Sequence, residues 1–288
     1  MNYRHAYHAG NFADVVKHAV LALLLERLAA KPSPYFVLDT HAGIGRYDLA
    51  SEAALKTGEA AAGIGRLLAA PAGEATPPEL TAYLGAVAAL NDGSPPGEMP
   101  RWYPGSPRLT RALMRAGDRL VLAEAHPDDA RTLKREFAGD AQVQVHHRDG
   151  WGALKAFLPP PERRGLVLID PPYESADEAD RLVAGLAAAH RRWPGGVYAL
   201  WYPIKERPWV WRLHEALAAT GIRRQLVAEL TVFPEDDWRR LNGCGIIVIN
   251  PPWQVDGAIT GLLPRLHSAL TAGEGAGGWR VEWLVPEE

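Results

Sequence analysis

The residues best suited to chemistry are Asp170-Pro171-Pro172-Tyr173, which close the apolar run Leu166-Val167-Leu168-Ile169. The chemistry these types fit is activation of an adenine's exocyclic amine toward a methyl donor. Such an amine is a poor nucleophile because its lone pair is delocalised into the ring, so it must be held in line with the donor. Asp170 can accept one N–H and the carbonyl of Pro171 the other, which favours the pyramidal nitrogen of the attacking state and aims its lone pair. The prolines keep that carbonyl rigid and out of a strand ladder. Tyr173 offers an aromatic face for the base, worth about 1–3 kcal/mol. A base inside a duplex would first have to be flipped out. The competing reading, a strand that merely ends in an acid and a proline turn, fits less well, because the tetrapeptide is specific and lies where open α/β sheets bind ligands. A second pair, Asn250-Pro251-Pro252-Trp253, imitates the pattern but has no cofactor motif at a suitable distance before it, and is read as structural.

A cofactor turn precedes the tetrapeptide: Asp39-Thr40-His41-Ala42-Gly43-Ile44-Gly45-Arg46, directly after Tyr35-Phe36-Val37-Leu38. Glycines there let backbone approach a ligand. A dinucleotide fingerprint needs a third glycine where this chain has Asp48, so a pyrophosphate-binding reading loses ground. Glu124, ending the next apolar run, is placed to accept from a ribose diol. Asp149-Gly150 can supply a carboxylate and an open turn beside an adenine ring. Taken singly, Glu124 and Asp149 read equally as ordinary loop acids; together with the turn they point to a nucleoside-like cofactor. Cys244 is the only cysteine and lies outside both motifs, which points to direct transfer without a covalent enzyme intermediate.

Among the supporting elements, Asn11 is suited to cap a helix running to about Lys31, with Asp14 in its first turn and Val15, Val16, Ala19, Val20, Leu23 and Leu24 at helical spacing. Apolar runs at 35–39, 120–124, 143–145, 166–170, 197–201, 226–233 and 246–249 read as buried strands. Most alternate with helical patterning, such as Ser175 to Arg192, where Ser175 and Glu178 suit a capping box, and Pro208 to Ala219. This predicts an α/β fold with a mostly parallel seven-stranded sheet, helices on both faces, and a last edge strand around Trp279 to Val285. An alanine-rich stretch broken by Pro and Gly reads as a small helical insertion. The predicted organisation is a main domain of 1–49 and 105–288 with an insertion subdomain of 50–104, helical at Ala53–Ala69 and Pro78–Asn91 and facing the substrate.

Of the 288 residues 47% are hydrophobic and 23% charged, with formal net charge -3. No apolar run approaches the roughly 18 residues of a membrane span. The residues from Met1 to His5 lack a secretory pattern, and a lone cysteine suits a reducing compartment, so a cytoplasmic protein is expected. No global positive field announces a nucleic acid. Candidates for a local basic surface are Arg163-Arg164, Arg191-Arg192, Arg223-Arg224 and Arg239-Arg240, with Arg4, Lys17 and Arg46.

With these residues in view, the chain closely resembles the RlmJ family of 23S ribosomal RNA adenine-N6 methyltransferases, over nearly its whole length. The resemblance rests on Tyr3-Arg4-His5, His8-Ala9-Gly10-Asn11, Asp14-Val15-x-Lys17-His18, Asp39 to Gly43, Tyr103-Pro104-Gly105-Ser106-Pro107, Asp170 to Tyr173, Ala199 to Pro203 and Asn250 to Trp253. It implies a Rossmann-like class I methyltransferase fold, S-adenosylmethionine as methyl donor, and 23S ribosomal RNA as partner. Apart from the resemblance, no membrane association and a monomeric chain are expected. By matching motifs the resemblance implies that His18, His41, Ser106, Glu124, Asp149, Gly150 and Asp170 line the cofactor site, that Asp170, Pro171 and Tyr173 act in catalysis, and that Tyr3 touches the RNA with Tyr173. Phe12 and Ile44 depart from the family pattern, which has histidine and alanine there; neither carries the assigned chemistry. His5-x-x-His8 has metal-ligand spacing, but no thiolates or clustered carboxylates accompany it, and stacking or hydrogen bonding is the preferred role.

Three other readings are set against this one. A DNA adenine methyltransferase would share the tetrapeptide and differ in target recognition. A nicotinamide oxidoreductase is disfavoured by the missing third glycine, and a non-catalytic RNA-binding protein by the intact tetrapeptide.

Overall fold

The apolar runs bury both faces of their strands, and alternation assigns each residue to a side. In the computed structural model the described residues are 4–69, 77–92, 97–175, 177–235, 237–271 and 277–287. The first elements are α1 (Phe12–Ala29), β1 (Phe36–Asp39), β2 (Arg46–Asp48), α2 (Glu52–Thr57), α3 (Arg66–Leu68), α4 (Pro78–Leu90) and β3 (Trp102–Pro104). Then come α5 (Ser106–Leu113), β4 (Arg119–Glu124), α6 (Pro127–Glu136), β5 (Val143–His147), α7 (Gly150–Phe157) and β6 (Gly165–Ile169). The last are α8 (Glu178–Arg192), β7 (Val197–Ile204), α9 (Arg207–Ala218), β8 (Gln225–Thr231), β9 (Gly243–Ile249), α10 (Val255–Leu270) and β10 (Gly278–Val285).

The main sheet has the order β10-β8-β9-β7-β6-β1-β4-β5. Strands β5, β4, β1, β6 and β7 are mutually parallel, whereas β9 runs antiparallel between β7 and β8. The expected strands are present, and the expected edge strand, β10, pairs antiparallel with β8 and brings the sheet to eight. Val37, Leu120, Leu122, Leu166 and Leu168 face one core with α1, α4 and α10. Their neighbours Phe36, Leu38, Val121, Val167 and Ile169 face the other, with α7, α8 and α9. From β1 the chain moves to β4 and β5 on one side, then returns to β6 on the other. That reversal opens a crevice at the carboxyl ends of β1 and β6, where open α/β sheets bind ligands.

Helix α1 begins as expected, with the Asn11 side chain accepting from Asp14 N at 2.9 Å, and is buried along most of its length. Between β2 and β3, which pair with each other, the chain forms α2, a π-helical turn at Ala61–Gly65, α3 and α4. Ile64, Leu67, Leu80 and Tyr83 from this stretch enter the same core as α1. The expected capping box at Ser175 and Glu178 is not formed: α8 starts at Glu178 after Asp177, and Ser175 contributes its backbone carbonyl to Glu178 N at 3.2 Å. Among the described residues, no helix is long and apolar enough to cross a membrane.

Candidate active site

Strand ends determine this site. Asp39 closes β1, Glu124 closes β4 and Asp170 follows β6, so parallel register delivers three acids to one edge. A cavity of about 800 Å³ opens there, lined by His18, His41, Gly43, Ser106, Glu124, Asp170, Pro171 and Tyr173 among others.

On the β1–β4 side, the turn after β1 folds against Glu124. Gly43 adopts φ +61° and donates its N–H to Glu124 Oε2 at 2.8 Å, while Oε1 accepts from His126 N at 2.7 Å. Two backbone donors thus fix the carboxylate, and its burial raises the pKa. Ser106 Oγ donates to Asp39 Oδ2 at 2.7 Å. Burial pushes Asp39 up to about 6, against the opposing hydrogen bonds from Ser106 and His41 N. His41 Nδ1 pairs with Thr40 Oγ1 at 2.8 Å, and burial lowers its pKa to about 4. His18 is buried and held neutral, with its pKa lowered to about 3. Its Nδ1 meets Tyr103 Oη at 2.9 Å, which in turn meets Tyr83 Oη at 2.9 Å. His18 Nε2 has no partner among the described residues, although a buried ring nitrogen normally has one.

On the β6 side lies the feature that sequence reasoning misplaced. Lys17, expected on a basic surface, is instead buried: its Nζ lies 2.7 Å from Asp170 Oδ2 and 2.9 Å from Asp14 Oδ1. Asp14 Oδ2 also pairs with His5 Nε2 at 2.9 Å and accepts from Gly10 N at 3.0 Å. Burial alone would drive the ammonium toward neutrality, but the two carboxylates outweigh it and hold the Lys17 pKa well above the usual value. The carbonyl of Pro171 accepts no hydrogen bond among the described residues, whereas that of Pro251 accepts from Arg224 at 3.3 Å. Tyr173 sits at φ +52°, a region L-residues seldom occupy, with its hydroxyl donating to Trp201 O at 2.6 Å. The edge of one ring meets the face of the other between Tyr173 and Trp209, with centroids 5.5 Å apart.

The RsmJ family model, described as ribosomal RNA large subunit methyltransferase D, RlmJ, matches residues 32–285. The chain belongs to this family. Relatives named Ribosomal RNA large subunit methyltransferase J are 46% identical in Escherichia coli (strain K12) and 44% identical in Haemophilus influenzae, each alignment covering 100% of both chains. A crystal structure of protein LPL1258 from Legionella pneumophila superposes with TM-score 0.86 at 32% identity, covering 96% of this chain and 98% of that one. The RlmJ membership and this sheet together give the Rossmann-like class I methyltransferase fold.

Against the RlmJ-based expectations, His18, His41, Ser106, Glu124, Asp170, Pro171 and Tyr173 all line the cavity. Asp149 and Gly150 stand beside it. Asp149 is exposed and caps α7, accepting from Gly152 N at 2.8 Å, and a Cβ on Gly150 would come within 2.8 Å of His41 Cε1. Tyr3 lies outside the described residues. The second Pro-Pro pair ends β9, which runs antiparallel to β7, so it sits at the opposite edge; Asn250 Nδ2 binds the carbonyls of Pro194 and Gly196 there. Of the expected basic surface, Arg164, Arg192 and Arg224 donate to backbone carbonyls, and Arg46 pairs with Glu136 at 3.2 Å. His5 and His8 pair with different carboxylates, Asp14 and Glu59. Sequence reasoning missed Lys17 as the partner of Asp170, the Tyr83–Tyr103 support of His18, and Trp201, Trp209 and Trp238 on the cavity wall. For Lys17 a signal existed: Asp14, Lys17 and His18 are spaced to share one helix face.

Proposed function

We propose that this chain transfers the methyl group of S-adenosylmethionine to the N6 amine of an adenine in 23S ribosomal RNA. The observation that carries the reading is the junction, in one cavity, of Asp170 and a Pro171 carbonyl that accepts no hydrogen bond among the described residues with a fixed Glu124. Asp170 and Pro171 O accept the two N–H groups of the base, and Lys17, holding Oδ2, orients the carboxylate so that Oδ1 faces the amine. The proton released on transfer passes to Asp170 or to water.

The residues present suit the cofactor. Glu124 accepts from its ribose hydroxyls. Tyr83 and Tyr103 hold His18 through its Nδ1, and Nε2, which has no partner among the described residues, would be the ring atom left to meet the cofactor. His41, Ser106, Asp149 and Gly150 complete the walls, Asp149 acting through the helix turn it caps. When bound, the cofactor supplies an electrophilic methyl group on a sulfonium. Cys244 takes no part: it is buried, and burial pushes its thiol up to about 12. The 50–104 insertion faces the RNA, with Tyr3 and Tyr173 contacting the substrate, and the monomeric chain works in the cytoplasm.

The names of the relatives favour RNA over DNA. Incubating the protein and labelled cofactor with unmodified 23S transcript and with adenine-containing DNA tests this. Label in RNA alone is expected; label in DNA alone would replace this reading with a DNA adenine methyltransferase.

A further inference from the structure

The cavity rim carries an exposed indole that neither the fold nor the chemistry above uses. Trp238 is 69% exposed, and its ring meets no aromatic or guanidinium partner among the described residues. Yet it lines the same cavity as Asp170 and Trp209.

The loop bearing it, between β8 and β9, is braced. Asn242 is fully buried; its Nδ2 donates to the carbonyls of Lys205 and Asp237, each at 2.9 Å, and its N–H to Ile204 O at 2.9 Å. Its own carbonyl accepts from Val232 N and Phe233 N, and Oδ1 accepts from Arg240 at 2.8 Å. Arg207 ties Glu235 on the other limb. An exposed indole on a braced loop leaves a large apolar face in water, ready for a flat partner.

We infer that Trp238 is the stacking platform for the nucleobase adjoining the target adenine, a positioning contact that rests on the RNA-methylating reading above. Extracting a base deprives its neighbour of a stacking partner, and an indole at the rim restores that contact. The rim's charges point to a base rather than a phosphate. Lys205 and Arg239 are offset by Glu174, Glu206 and Asp237, and Arg239 is already held by Asp237 at 2.8 Å. Aromatic stacking tolerates any base, so Trp238 contributes grip and register rather than base identity.

Trp238→Ala and Trp238→Phe are compared with wild type on unmodified 23S transcript, reading RNA binding, KM, kcat and S-adenosylmethionine affinity. Trp238→Ala is expected to raise Kd and KM about tenfold with kcat within about twofold, while Trp238→Phe recovers most of the loss. The salt dependence of binding stays as in wild type, because no phosphate contact is removed. Cofactor affinity stays unchanged, which reports an intact fold. Equal Kd and KM for Trp238→Ala and wild type would overturn the platform while leaving the methyltransferase reading standing. A fall in kcat alone, or failure of phenylalanine to recover binding, would also overturn it. Absence of RNA methylation by wild type would remove the underlying reading and the platform with it.

Discussion

Lys17 Nζ lies 2.7 Å from Asp170 Oδ2, joining α1 to the end of β6 across 153 residues of sequence. Both residues line the same cavity as Glu124 and Trp209. The pair continues to Asp14, which also meets His5, so the orientation of the Asp170 carboxylate depends on a buried carboxylate–ammonium–carboxylate series.

Replacing Lys17 by Met leaves Asp14 and Asp170 facing each other without their cation. The expected result is a loss of about 3–5 kcal/mol in stability, as for removal of one partner from a buried ion pair. Methyl transfer should fall about a hundredfold in kcat, comparable with loss of one preorganised electrostatic contact. Denaturant titration and single-turnover transfer at low temperature separate the two effects. A variant that transfers at the wild-type rate would show that the Lys17 contact does not set the carboxylate's position.

Asp39 predicts a pH signature. Its folded pKa is raised to about 6, chiefly by burial, with the Asp170 charge adding to the rise and Ser106, His41 N and Lys17 opposing it. The folded state therefore holds a proton that the unfolded chain releases near its ordinary value of about 3.9. Stability linked to this group is full below that value and is lost as pH rises toward 6. Asp39→Asn removes the charge, so its stability relative to wild type should improve between pH 4 and 6 and then level off, by at most about 3 kcal/mol. Thermal denaturation across that range measures the difference, and a constant offset would contradict the assigned burial cost.

Glu124→Ala strips the acceptor from Gly43 N and His126 N and from the ribose it is proposed to hold. Hydrogen bonds to a charged group contribute about 1.5–3 kcal/mol, so S-adenosylmethionine should bind about 10- to 100-fold more weakly by calorimetry. RNA affinity should be unchanged. Undiminished cofactor affinity would remove Glu124 from the site.

The legible parts of this molecule are those whose signal is local. Asp170 to Tyr173 and the Gly43 turn could be read because each follows a continuous apolar run, and a strand end fixes where its next residue points. The capping of α1 by Asn11 was legible because the cap and the backbone N–H it accepts from lie three residues apart. Strand direction was not: β9 has the composition of a parallel core strand, and only pairing with β7 and β8 reveals it to be antiparallel. The helix expected to begin at Ser175 begins at Glu178, because the carbonyl of Ser175, not its hydroxyl, closes the turn. Lys17 was misread because a lysine's composition signal is exposure, and Asp14 on its own helix face holds it in the interior only together with Asp170, which a distant strand end delivers. β2 and β3, three residues each, are too short for any periodicity.

The most direct test is mass spectrometry of nucleosides and oligonucleotides from 23S ribosomal RNA of cells with the gene, without it, and complemented by Asp170→Ala. One N6-methyladenosine is expected with the intact gene, absent from the deletion, and not restored by the Asp170→Ala protein. An unchanged adenine-methylation map in the deletion, or full restoration by Asp170→Ala, would contradict the proposed function.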